Sequence, residues 1–133
     1  MTIHKPELVR INVANPTVNQ VVQTIQELDG INTLGVDIEI DRQYLGMGCA
    51  QQGNRMHIGF MVVNEQHTRL ISARILIDDT QKSQETFDFL LSNGQVDQLP
   101  IQETVDLHTA IEIASYFVEH GEMPQGLNWE PPE

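Results

Sequence analysis

The spacing of the apolar residues changes period at residue 31. Val18, Val21, Val22, Ile25 and Leu28 recur on one face at helical spacing, whereas Leu34, Val36, Ile38 and Ile40 alternate with Gly35, Asp37, Glu39 and Asp41. The first pattern buries one stripe of a helix and the second one face of a strand, so the chain has to combine both elements around a shared core. Asn15-Pro16 supplies an N-cap residue and a proline at the first helical position. Gly30 suits the left-handed residue that ends a helix, and together these predict a helix over 16–29. The short run from Leu8 to Val13 suits a strand ahead of it.

Beyond residue 31 the strands follow in quick succession. Tyr44 to Ala50 reads as a strand softened by Gly46 and Gly48, Met56 to Val63 as the next, and Thr68 to Ile77 as a fourth. Turn clusters separate them at 41–43, 51–54 and 64–67, a spacing that argues for an antiparallel meander. Residues 78–83 read as a polar loop, Phe87 to Leu91 as a short strand or helical turn, and Ser92-Asn93-Gly94 as a turn. Val105 could close the sheet before Asp106, an N-cap for a second helix whose face carries Leu107, Ala110, Ile111, Ala114, Phe117 and Val118. Gly121 and Pro124 stop that helix, and Leu127-Asn128-Trp129 forms a last extended piece. The expected fold is α+β, an antiparallel four- to six-stranded meander sheet with two helices packed on one face.

A chain of 133 residues is expected to form a single domain over 1–133, at about 150 residues per domain. No run of 18 apolar residues is present for a transmembrane helix, and Met1 to Pro6 does not read as a secretory signal. One cysteine, Cys49, forms no internal disulfide. A soluble cytoplasmic protein is expected. The 19 acids and 7 bases give a net charge of −12, which opposes binding to nucleic acid or an anionic membrane. The charge is also uneven. Residues 1–82 hold seven bases and nine acids, a net of −2, while residues 83–133 hold ten acids and no base. Such a surface either keeps the protein soluble or awaits a basic partner.

The motifs offer little catalysis. His108 and Glu112 stand at i and i+4 on one helix face, but no further ligand follows at helical spacing, so a solvated pair is expected rather than a metal site. His57 alternates with Ile58, Phe60 and Val62 and is expected to face water or a partner. His120 suits a helix C-terminus. Cys49 shares the phase of Leu45 and Met47 and reads as core. Gly46-Met47-Gly48 lies within a strand, where glycine marks a bulge or a close backbone contact. No nucleophile elbow, phosphate loop or dinucleotide fingerprint is present, and neither enzyme activity nor a cofactor is expected. Asp37, Glu39 and Asp41 are different: residues two apart on a strand point the same way, roughly 6–7 Å apart, so three carboxylates form a row. The row either pairs with arginines of a partner or solvates the outer face. Trp129 either caps the core or anchors an interface.

The C-terminal third carries a resemblance. Val105-Asp106-Leu107, Ala110, Phe117, Gly121-Glu122-Met123-Pro124 and Leu127-Asn128-Trp129-Glu130 resemble the ending of the family numbered one among the immunity proteins of bacterial polymorphic toxin systems. Its members include the antidote of a DNA cytosine deaminase toxin. The resemblance implies a non-catalytic cytoplasmic inhibitor that binds a cognate nucleic-acid-acting, deaminase-type toxin and occludes its active site. Acidic side chains would stand in for substrate phosphates, with Asp37, Glu39, Asp41, Glu112 and Glu119 as the candidates. The alternative is a small-ligand-binding or regulatory α+β domain, homodimeric through a sheet edge or a methionine surface. An enzyme using His57 or His108 as a base would need a carboxylate or second histidine brought beside it by the fold.

Overall fold

The computed structural model describes residues 9–51, 55–78, 80, 83–91 and 93–131. His4, Leu8, most of the turn cluster at 51–54, Asp79, Gln81, Lys82 and Ser92 lie outside these. In chain order the elements are β1 (Val9–Ala14), α1 (Val18–Gln26), β2 (Thr33–Ile40), β3 (Gln43–Cys49), β4 (Arg55–Val63), β5 (Leu70–Ile77), β6 (Thr86–Leu90), β7 (Val96–Pro100), β8 (Val105–Asp106), α2 (Leu107–His120) and β9 (Asn128–Glu130). A 3-10 turn, Ile101–Glu103, precedes β8. The fold is the expected α+β. No described helix is long and apolar enough to cross a membrane.

One sheet of seven strands runs β1-β2-β3-β4-β5-β9, with β8 pairing the start of β4, past the end of β5. From β2 to β5 it is the antiparallel meander that the short turns suggest. The departure is β1, which pairs with β2 in parallel, Arg10 opposite Gly35 and Asn12 opposite Asp37. Parallel neighbours need a crossover connection, and α1 is that crossover. A second, two-stranded sheet of β6 and β7 occupies the stretch that reads from sequence as a loop and one short element.

The helix ends differ from the expected ones. Thr17, not Asn15, caps α1: its hydroxyl accepts from Gln20 N–H at 3.2 Å and Gln20 Oε1 accepts from Thr17 N–H at 2.9 Å. This reciprocal box satisfies two backbone donors that a helix start leaves bare. Asn15 instead extends the β1–β2 pairing by donating to the Glu39 carbonyl at 2.8 Å. α1 ends at Gln26, and Gly30, at φ 72°, serves the following turn. At α2 the expected signals act as read, with Asp106 accepting from Thr109 N–H at 2.8 Å and Gly121 left-handed at φ 67°.

Both helices lie on one side of the sheet. Val21 and Ile25 of α1 and Ala110, Ile113, Ala114 and Phe117 of α2 pack with Val36, Ile38, Leu45, Met47, Met56 and Ile58. Cys49 is buried as expected, and burial pushes its thiol pKa up. Trp129 takes the capping role, packing on this core with its ring 6.3 Å from Phe60. A smaller cluster of Ala50, Phe87, Phe89 and Ile101 ties the β6–β7 hairpin to the far side of the sheet.

Candidate functional site

Alternation sends Asp37 and Glu39 of β2 to the side opposite the helices. Cross-strand register places Tyr44, Gly46, His57, Gly59 and Met61 there with them. Among the described residues this side is covered only at one end, by the β6–β7 hairpin, and glycines make it hollow. Gly46 and Gly59 face each other directly across β3 and β4, and Gly48 faces His57.

Packing does not require all of these glycines. A Cβ on Gly35 would stand 2.1 Å from the Met47 carbonyl and 2.6 Å from the Arg10 guanidinium, so glycine is obligatory there. On Gly46 a Cβ would stand 3.0 Å from Asp37 Oδ1, a crowded contact, whereas on Gly48 and Gly59 the nearest atoms would be 3.7 and 3.6 Å away, ordinary contact distances. Glycine inside a strand costs conformational entropy and packs nothing, so glycines that sterics do not demand mark a place kept open. The result is a groove of about 290 Å³. Backbone floors it, Phe89, Leu91 and Leu99 of the hairpin wall it on one side, and Met61 lies on the other.

Polar groups line the ends. Arg10 reaches across the bare Cα of Gly35 and grips Asp37 with two donors, Nη2 at 2.7 Å and Nε at 3.2 Å, while Nη2 also donates to the Met47 carbonyl at 3.1 Å. The two side chains remain about one-third exposed, 34% and 28%. His57 Nδ1 lies 3.0 Å from the Glu103 carbonyl. A carbonyl only accepts, so Nδ1 carries a proton and Nε2 is the ring nitrogen left for another partner. His57 is therefore not simply turned to water: the hairpin covers it, with the Phe89 ring edge-on at 6.2 Å. Asp97 of β7 adds an exposed carboxylate to the lining.

The carboxylate row thus comes together in part. Asp37 is committed to Arg10. Glu39 accepts from the Tyr44 hydroxyl at 2.9 Å, and that hydrogen bond raises the Tyr44 pKa. His67 Nδ1 stands 3.8 Å from the same carboxylate. Asp41 leaves the strand for the two-residue β2–β3 turn at φ 56°, its side chain 76% exposed. Glu112 and Glu119 project from α2, in the helical layer on the other side of the sheet. Glu112 meets His108 at 2.8 Å, both well exposed, as a solvated pair. The five sequence candidates therefore occupy two opposite sides of the molecule.

Sequence reasoning missed Arg10 and the groove. The alternation in β1 would have placed Arg10 beside Asp37 had the parallel pairing been foreseen. Among the described residues no three His, Cys, Asp or Glu side chains stand close enough to hold a metal ion.

Comparison with known proteins gives one strong result. The family model described as Immunity protein Imm1 matches residues 10–131, almost the whole chain. No curated protein and no solved structure matches it.

Proposed function

The chain belongs to the Imm1 immunity protein family, and from that membership we propose that it neutralises a nucleic-acid-acting, deaminase-type toxin by laying its helix-free sheet face over the toxin's active site. Proteins of this family are not catalysts, and their partner is a toxin. What supports the placement is the mixed character of that face. Met61 and Leu91 are 38% and 40% exposed, and both line the groove. Exposed apolar residues grouped beside charged ones mark protein interfaces. Asp37, Glu39 and Asp41 border the patch, where they can meet the basic side chains with which a nucleic-acid enzyme holds phosphates. Glu112 and Glu119, on the far side, act through the long-range field of a −12 protein, speeding encounter rather than touching the toxin. The protein acts in the cytoplasm of the cell that makes the toxin.

The alternative of a small-ligand or regulatory domain draws on the groove. At about 290 Å³ it falls just below the range for ligand pockets, roughly 300–1,000 Å³. An inhibitor surface fits it better. The test is co-expression with toxin domains encoded in the same genome, read as growth. One toxin should lose its lethality, and the Glu39→Gln/Asp41→Asn variant should associate with it more slowly and with a shallower salt dependence. Rescue from none of them, or an unchanged salt slope, would refute the proposal.

A further inference from the structure

We infer that the glycine-floored groove receives a single arginine side chain presented by the toxin. This inference rests on the immunity reading and names the chemistry of the contact. Three properties of the groove select the occupant. Its floor at Gly48 and Gly59 exposes flat peptide backbone, while the Asp37 carboxylate stands over Gly46, and Phe89 adds a ring edge, so the body of the occupant must be planar or apolar. Its carboxylates outnumber its one cation: Asp97 and Asp37 line it beside Arg10 alone, with the His57 ring between them and the hairpin. The cation already present, Arg10, is paired through Nε and Nη2 with Asp37 and the Met47 carbonyl, so Asp97 leaves the groove with a net negative charge.

An apolar anchor would strip water from Asp97 and His57 without replacing those hydrogen bonds. A lysine would bring a strongly hydrated point charge into an apolar trough. The guanidinium is planar, donor-only and more weakly hydrated, and it stacks on aromatic and peptide faces while its fork serves several acceptors. The overall field agrees, because the hairpin that walls the groove belongs to the half of the chain with ten acids and no base.

The probe is N-acetyl-L-argininamide, titrated into the ¹⁵N-labelled full chain and followed by amide chemical shifts. The amides of Gly46, Gly48 and Gly59 should move in a saturable way, and N-acetyl-L-leucinamide should move them at least tenfold less. Asp97→Asn, a change at an exposed site that leaves the fold intact, should weaken argininamide binding about tenfold. Gly59→Leu, checked for folding by its melt, should abolish it. Leucinamide binding as well as argininamide, or argininamide shifts lying elsewhere, would overturn the inference. Growth rescue separates this from the immunity reading. If wild type rescues and both variants rescue equally, the groove assignment fails while the immunity function stands. If wild type rescues nothing while argininamide still binds in the groove, the immunity function fails alone.

Discussion

Arg55 ties the 3-10 turn and β8 to the main sheet, and its removal gives a sharp test of how the groove wall is held. Its Nε donates to Thr104 Oγ1 at 2.8 Å and its Nη2 to the Thr104 carbonyl at 2.8 Å. Its guanidinium lies 5.8 Å from the centre of the Phe87 ring. Thr104 is 1% exposed, and its hydroxyl also donates to the Ile101 carbonyl at 2.9 Å. Thr104→Val keeps the shape and deletes the hydroxyl. The Ile101 carbonyl keeps the Thr104 N–H at 3.0 Å, so the group orphaned is the charged Nε donor. Leaving such a group unpaired costs about 1–3 kcal/mol, and about 2 kcal/mol is expected here. For a chain of this length that lowers Tm by about 6–10 °C. Arg55→Met orphans the Thr104 carbonyl and loses the ring contact, for about 2–3 kcal/mol. In the double variant the orphaned donor no longer exists, so the combined loss should fall short of the sum by about 1–2 kcal/mol. Urea unfolding of all four proteins closes the cycle. Additive losses, or a Thr104→Val cost under about 0.5 kcal/mol, would show that this network does not hold the hairpin.

The other expectations are briefer. Gly35→Ala drives a Cβ to 2.1 Å from the Met47 carbonyl and should cost about 3 kcal/mol or more, whereas Gly59→Ala should be neutral or stabilise by up to about 1 kcal/mol; thermal melts of the two compare them directly. Phe117→Ala, at a fully buried position touching Phe60, should lose about 3–5 kcal/mol by urea titration. The Asp106 carboxyl is held below its ordinary 3.8 first by the Thr109 N–H and then by the Thr109 hydroxyl. Its contribution is therefore present above the ordinary value and disappears as pH falls through the lowered one. Asp106→Asn should match wild type at pH 7, since asparagine caps as well, yet lose stability less steeply below pH about 4.

Much of the fold is legible because local rules and tertiary packing agree. The alternation in β2 placed Asp37 and Glu39 on the outer face, the apolar spacing in α2 marked the residues that pack, and Asp106 and Gly121 cap that helix as their chemistry suggests. The failures have separate causes. Asn15-Pro16 looked like the stronger helix start, but the box between Thr17 and Gln20 satisfies two donors where Asn15 would satisfy one. The parallel pairing of β1 is a nonlocal choice that short turns cannot signal. Of the hairpin, β6 falls on the short strand or helical turn expected at Phe87 to Leu91, while β7 escapes because it is mostly exposed and carries few apolar residues. The groove escaped for a related reason: Gly46 and Gly48 were recognised as a close-contact signal, but Gly59 joins them only through the register of β3 with β4.

The most direct test of the inhibitor account compares the two sides of the sheet in binding to the neutralised toxin. Met61→Asp places a charge in the centre of the proposed contact, while Glu112→Lys/Glu119→Lys reverses two charges on the helical side. The account predicts that Met61→Asp raises Kd at least 100-fold, about 3 kcal/mol, with its fold unchanged by melt. The helix-side variant should change Kd less than tenfold, mainly by slowing association. The opposite ranking would contradict the account and move the toxin to the helical layer.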